Sequence, residues 1–338
     1  MRSVLVTGGA GYIGSVLIPK LLINRYKVYL VDNMIYGSDG VCSNQYLEVI
    51  NKDYREVDFE KDKIKNIETV IHLASINFSS AFSVSNNNGK LINEEGSIKF
   101  FDYCKKSLVK KFIYLTSSSI YGENLSFDKT FLETDSLNPT SNFSNCEKNV
   151  QSYFLENSNE KFSTLILRIG EVVGYSPRMR FDLEVNNMIK EGFLSNKINI
   201  KNSQSKFSMV SINYLADLIS FLLYKKEIFL KKDNIFNVAN YSDTFEGIAK
   251  LIKEKFGLFK KDSTFLINSL DKDKKKNLEI DIKKLNMIMP NKFKLNNKLK
   301  LDNAINSIIL SFNRSRFGSN INDEKLYNDL FLKKNNIF

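Results

Sequence analysis

Short unbroken apolar runs alternate with helical patterns through the first half of the chain. Val4 to Thr7 is β-branched and apolar and ends in glycines, and Ile13, Val16, Leu17 and Leu21 then recur at the spacing of one helix face. The reading is strand, tight turn, helix. Val28 to Val31 is a second strand that stops on Asp32. Thr69 to Leu73 and Phe112 to Leu115 repeat the form, each a continuous apolar run of the kind a parallel strand buried on both faces requires. Between them, Ile98, Phe101, Cys104 and Leu108 fit the inward face of a helix. Thr164 to Leu167 supplies a further strand, after which the elements shorten and a domain change is expected between Arg168 and Gly174. Beyond it, Tyr214 to Tyr224 reads as a helix, Ile235 to Ala239 as a strand returning to the sheet, and Phe245 to Phe256 as another helix. Asp271 to Lys276 reads as a charged loop, and the tail after Arg316 has weak periodicity. This alternation predicts an α/β fold, a doubly wound parallel sheet flanked by helices.

Composition narrows the class. The 338 residues suffice for one large α/β domain with an appended lobe. No apolar run approaches the roughly 18 residues that span a bilayer, so no membrane insertion is expected. MRSVLVTGG enters the first strand without the series of a signal peptide, which predicts a cytoplasmic protein. Cys42, Cys104 and Cys146 share no metal or redox spacing and read as reduced thiols. His72 is the single histidine, so two-histidine chemistry is excluded and no metal site is expected. The charge balance, 49 basic minus 38 acidic or +11, is spread through runs such as Lys272 to Lys276. It reads as a solvated surface and not as a nucleic-acid face.

The chemistry begins at Thr7-Gly8-Gly9-Ala10-Gly11-Tyr12-Ile13-Gly14, set between predicted strand and predicted helix. Gly8 allows the tight turn, Gly11 lets backbone amides approach a pyrophosphate, and Gly14 lets helix pack on strand. The helix N-terminus then carries the phosphate charge on unpaired amides. Asp32 ends the second strand, where a carboxylate accepts from both adenosine ribose hydroxyls and repels a 2′-phosphate, favouring NAD over NADP. Residues 1–168 are therefore expected to form an NAD-binding Rossmann domain. Residues 169–338 are expected to form mainly a substrate-binding lobe, with segments near 205–240 returning to the first domain.

These residues resemble the extended short-chain dehydrogenase/reductases that act as NAD-dependent nucleotide-sugar epimerases and dehydratases, over roughly residues 3 to 240. The glycine segment resembles the family's phosphate loop, Asp32-Asn33 its ribose-binding strand end, and Val57-Asp58-Phe59 its adenine edge. His72-Leu73-Ala74-Ser75 is similar to the segment that lines the cofactor, which makes His72 a strand-end residue and no general base. Asn93 with Gly96 resembles the N-x-x-G opening of the next helix. Thr116-Ser117-Ser118-Ser119-Ile120-Tyr121-Gly122 is similar to the segment that carries the family's catalytic hydroxyl, which maps onto Ser117, with Ser118 and Ser119 beside substrate. Leu167-Arg168, Gly174 and then Ser176-Pro177-Arg178-Met179-Arg180-Phe181-Asp182 resemble a branch that processes sugars for surface polysaccharides. Arg178 and Arg180 are candidates for the substrate diphosphate, since guanidinium pairs with phosphate oxygens in bidentate fashion. The alternative for them is an ion pair with Asp182 or Glu184. The resemblance also implies a nucleotide-sugar as partner and a homodimer formed by the helix before Ser107 and the helix after Phe143.

One pair departs from the resembled pattern. The family's chemistry rests on Tyr-x-x-x-Lys after a Pro-x-Ser turn, and here Phe143 stands in the Tyr position and Glu147 in the Lys position. Phe143 has no ionisable oxygen, and Glu147 would raise a neighbouring acid's pKa. Lys148 points roughly 100° around the helix from position 147, so it misses that place. Phe207, Ser211 and Tyr214 likewise sit where relatives carry Arg, His and Asp. Either acid/base work has moved to Ser117 through water, Tyr121, Glu123 or Glu171, or the protein binds NAD and nucleotide-sugar without turnover in a regulatory or assembly role. Losing a positioned acid/base costs about 10² to 10⁴ in rate, which slows an enzyme without necessarily abolishing it.

Overall fold

A computed structural model describes residues 2–76, 88–122, 129–230, 234–259, 265–269, 277–294, 297–317 and 323–328. The apolar runs become strands β1 (Arg2–Thr7), β2 (Tyr26–Asp32), β4 (Ile67–His72), β5 (Lys111–Ser117) and β6 (Ser163–Ile169), with an edge strand β3 (Leu47–Asn51). Helices α1 (Gly14–Ile23), α2 (Ser97–Lys106) and α3 (Asn142–Glu156) connect them. A strand near residue 236 returns from the second half of the chain and pairs with β6 in parallel through Ile235↔Ile166 to Val238↔Ile169. The result is a seven-stranded sheet, every pair parallel.

Alternation within β1 explains why both faces are covered. Val4 and Val6 point into one apolar cluster with Leu17, Leu21, Val28 and Leu30, while Leu5 joins Tyr29, Val70, Phe101, Phe112 and Phe154 in the other. Phe101 of α2 stacks on Phe154 of α3 with ring centroids 4.2 Å apart. The expected inward face of α2 is corrected at its ends: Ile98 is only half-buried, and Leu108 is 79% exposed. Ser107 takes an extended conformation and ends the helix, so Leu108 lies beyond its last turn.

The remaining strands are short. In chain order they are β7 (Glu171–Val173), β8 (Lys197–Ile200), β9 (Lys206–Ser211), the returning β10 (Ile235–Val238), β11 (Tyr241–Thr244), β12 (Leu266–Ser269) and β13 (Asn277–Leu278). β9 pairs with β7, β11 and β13, and β12 pairs with β8. Helices α4 (Glu184–Ser195), α5 (Ile212–Leu222), α6 (Phe245–Phe259) and α7 (Asn297–Asn313) pack with them. α5 returns to lie against α1. The charged loop expected at Asp271 to Lys276 lies outside the described residues.

The order of strands places the site. The chain runs β1, β2, β3 to one edge and resumes with β4 on the other side of β1, so the carboxyl ends of β1 and β4 flank the point where the winding reverses. In open parallel sheets ligands bind in that crevice.

Candidate functional site

A cavity of about 700 Å³ opens over the carboxyl ends of these strands. Its floor is the glycine turn. Gly8 has φ +67, and a Cβ there would lie 2.6 Å from the Ala74 backbone nitrogen; one on Gly14 would lie 2.4 Å from the Gly9 carbonyl. Both positions therefore need glycine. The Tyr12 and Ile13 amides, just ahead of α1, make no hydrogen bond among the described residues. They form an anion cradle of the kind a helix N-terminus offers a pyrophosphate.

Asp32 flanks the cradle at the end of β2. Its carboxylate accepts from the Ala10 and Met34 amides at 3.0 and 2.9 Å, and burial raises its pKa against the pull of those amides. Asn33, Ile35, Tyr36, Asp53, Tyr54 and Arg55 continue this wall. With the pyrophosphate on α1, β2 takes the adenosine half of a dinucleotide, and the other half must cross β1 toward β4 and β5. Leu73, Ala74 and Ser75 line that second half. His72 stands beneath them with Nδ1 2.7 Å from the Thr7 hydroxyl and Nε2 3.0 Å from the Ser97 hydroxyl. Both ring nitrogens are taken and burial lowers its pKa to about 3, so it is a neutral structural link.

Ser117, Phe143 and Glu147 come together at the far end of the cavity. α3 is aimed by a capping box: the Ser141 hydroxyl accepts from Ser144 N–H at 3.1 Å, and the Ser144 hydroxyl accepts from Ser141 N–H at 3.2 Å. That fixes the first turn, which turns half-buried Phe143 and buried Glu147 to the cavity wall. The two Glu147 oxygens share the Ser117 N–H at 3.0 and 3.2 Å. Burial raises the Glu147 pKa to about 8, and this N–H offsets it only in part. The Ser117 hydroxyl accepts from Ser119 N–H at 3.1 Å.

Glu171 is the second carboxyl on the wall. Parallel pairing sets Ser117 opposite Ile169, two positions before Glu171, so the end of β6 delivers Glu171 to the same edge of the sheet. One of its oxygens accepts from Val185 N–H at 2.8 Å, and the other has no hydrogen-bond partner among the described residues. Burial raises its pKa to about 7.

Other expected residues are elsewhere. Asp58 and Phe59 do not reach the cavity wall: Asp58 pairs with Lys61 at 3.0 Å, and the Phe59 amide donates to the Tyr103 hydroxyl. Asp53 to Arg55, a few residues earlier, occupy the adenosine-side wall instead. Asn93 sits behind the wall, clamping the Ile76 backbone through both its amide oxygen and its amide nitrogen at 2.8 and 2.5 Å, in a π-helical turn at Leu91–Gly96. Ser118 and Ser119 turn away in a 3-10 turn, and Ser118 is buried. The Tyr121 hydroxyl is held between Asn237 and Arg168, both at 2.7 Å, off the cavity. Glu123 lies outside the described residues. Phe207 stacks on Phe245, Ser211 N–H donates to Asn240, and Tyr214 is buried, so none of the three lines the cavity.

The two arginines line the cavity, Arg180 in the ion pair expected as its alternative and Arg178 in other contacts. Arg180 pairs with Asp182 at 2.6 Å. Arg178 lies 4.1 Å over the Tyr36 ring and donates to the Met179 carbonyl and to Asn328, which places it on the adenosine side, near Asp32. Tyr36, Asp53, Tyr54 and Asn328 gave no sequence signal of a site.

Residues 4–239 match the sequence profile of the NAD-dependent epimerase/dehydratase family. The chain is 37% identical over 123 residues to a putative UDP-glucose 4-epimerase of Methanocaldococcus jannaschii, covering 36% of this chain and 40% of that relative. It is 28% identical over 280 residues to a dTDP-D-glucose 4,6-dehydratase of Dictyostelium discoideum, covering 73% of this chain and 59% of the relative. The matched stretches thus span less than two thirds of either relative. The fold superposes on the UDP-glucuronic acid 4-epimerase from Bacillus cereus in complex with UDP-glucuronic acid and NAD, with a TM-score of 0.77 and 21% identity over 91% of this chain and 99% of that one. It also superposes on the UDP-N-acetylglucosamine 4-epimerase from Methanobrevibacter ruminantium in complex with UDP-N-acetylmuramic acid, with a TM-score of 0.76 and 22% identity over 92% and 99% of the two chains. At these identities the likeness is one of fold.

Proposed function

Because the chain belongs to the NAD-dependent epimerase/dehydratase family, we propose that it carries out NAD-dependent oxidoreduction at a nucleotide-sugar, with Glu171 as its proton acceptor. The nucleotide-sugar is one that feeds surface polysaccharide synthesis, in keeping with the segment Ser176 to Asp182. One observation carries the reading: a carboxyl with one oxygen unpartnered among the described residues and a pKa of about 7 stands on the wall of the cavity, two positions beyond the residue paired with Ser117. A general base works best with its pKa near the working pH.

When bound, NAD supplies the hydride acceptor for a ring carbon of the sugar. The Tyr12 and Ile13 amides hold its pyrophosphate and Asp32 its adenosine ribose, since the glycine turn leaves no room for other side chains. Ser117 orients the sugar hydroxyl, and Glu171 takes its proton and later returns it. Phe143 excludes water beside them.

Incubating the NAD-loaded protein with UDP-, dTDP- and GDP-sugars and following the sugar by NMR tests the reading. At least one should be converted. Tight binding without conversion of any would favour the non-catalytic alternative, to which the missing phenol of Phe143 points.

Cofactor preference is a separate expectation. With Asp32 accepting from the ribose hydroxyls, calorimetry should show NAD binding at least about tenfold tighter than NADP, a gap of about 1.4 kcal/mol. Asp32→Ala should narrow it. Equal affinities in the unmodified protein would remove Asp32 from the site.

A homodimer through α2 and α3 belongs to the same proposal. The outward residues of these helices include Lys99, Tyr103, Lys106, Asn145 and Asn149, a polar surface unlike the apolar centre of an obligate dimer. Light scattering should therefore find a dimer that dissociates on dilution. A monomer at every concentration would discard it.

A further inference from the structure

We infer that Glu147 biases this site toward oxidised over reduced NAD by serving as the counter-charge of the nicotinamide ring. The inference rests on the NAD reading above, and it concerns a carboxyl to which that reading gives no proton to carry.

The position follows from the fold. With the pyrophosphate over the Tyr12 and Ile13 amides and adenosine over the end of β2, the nicotinamide half lies across β1 toward the ends of β4 and β5. Glu147 lines that part of the cavity and is 6% exposed. Its two oxygens share the Ser117 N–H, and the Thr116 hydroxyl is the other neutral group that favours the charged form there. Among the described residues no Lys or Arg nitrogen lies within 4.0 Å of them.

Among the described residues, the groups on every side leave the carboxyl without a cation. From β5 comes the Tyr114 phenol, and on its own helix stands the Cys146 thiol, both buried and both pushed toward the neutral form by burial. Beyond Cys146, at the turn before α2, are Glu94 and Lys90. Arg168 of β6 is committed to Gln151, the Tyr121 hydroxyl and the Glu133 carbonyl, and Lys148 donates to the Leu137 carbonyl.

A buried carboxylate without a counter-ion is unfavourable, and such a group holds its proton instead. Here the pKa stands at about 8. An oxidised nicotinamide ring carries a positive charge and a reduced ring carries none. The oxidised cofactor therefore supplies the missing cation and draws the proton off Glu147, whereas the reduced form leaves it in place. The sign follows: below about pH 8 binding of the oxidised form releases a proton, so its affinity rises with pH and levels off above that value. Affinity for the reduced form stays flat. Functionally, the site gives a hydride back more readily than it keeps it, which suits a closed cycle of removal and return at the sugar and not net dehydrogenation.

Calorimetry with NAD and NADH, from about pH 6 to about pH 9 and in two buffers of different ionisation enthalpy, tests this. In the unmodified protein NAD affinity should rise by up to about tenfold per pH unit, with proton release, while NADH affinity does not change. Glu147→Gln should abolish the rise, and Glu171→Gln, which removes the other titrating carboxyl on the wall, should keep it. An equal rise for NADH, or a rise that survives Glu147→Gln, overturns the inference. If Glu147→Gln does not fold, the contrast between the two cofactors in the unmodified protein decides alone. Cofactor binding with no pH contrast overturns only this inference, whereas failure to bind either cofactor overturns the NAD reading with it.

Discussion

Glu171→Gln should lower kcat by about 10² to 10⁴, the usual contribution of a positioned acid/base, with KM and NAD affinity little changed. Glutamine keeps an oxygen for Val185 N–H, so the first turn of α4 stays in place. What it loses is the ability to take a proton. The acidic limb of the unmodified protein's rate profile should fall near pH 7, set by the Glu171 pKa of about 7, and should vanish in the variant. A variant as fast as the parent, with the same profile, would exclude Glu171 as the proton acceptor.

The second large effect is a rescue. In the Glu171→Gln background, Phe143→Tyr together with Glu147→Lys places a phenol and an ammonium on adjacent turns of α3, both on the cavity wall. The ammonium lowers the phenol's pKa, so the pair should restore much of the lost turnover. Because the two groups act as a unit, each single change should recover far less. The exchange also removes the acceptor of Ser117 N–H, costing about 1–3 kcal/mol, so melting temperatures must be followed beside rates. A folded triple variant that binds NAD but stays as slow as Glu171→Gln would mean that α3 does not bring position 143 to the reacting hydroxyl.

Legibility in the sequence followed the range of the interactions. The central strands were readable because each is buried on both faces and must be apolar throughout. β3 was not, since Glu48 and Val49 face water at the sheet edge and its alternation is lost. The strands after Ile169 are short, and the pairings around β9 and between β8 and β12 come from contacts between distant segments. In the site, the glycine turn and Asp32 were legible because local backbone geometry demands them. The place of Arg178 on the adenosine side was not legible because it depends on Tyr36 and on Asn328, 150 residues further on. Asp58 and Phe59 were assigned from resemblance, but the short turn at Tyr54–Glu56 gives the wall to Asp53, Tyr54 and Arg55. The replacement at Phe143 and Glu147 was visible at once, while its meaning needed the burial of Glu147 and the free oxygen of Glu171.

Rapid mixing of the NAD-loaded protein with a bound nucleotide-sugar, followed in the near-ultraviolet band of reduced nicotinamide, tests hydride transfer directly. A rise in that band that decays as the hydride returns to the sugar is the expected result. A flat trace with every nucleotide-sugar shown to be bound would contradict the account and leave the protein a binder of both molecules.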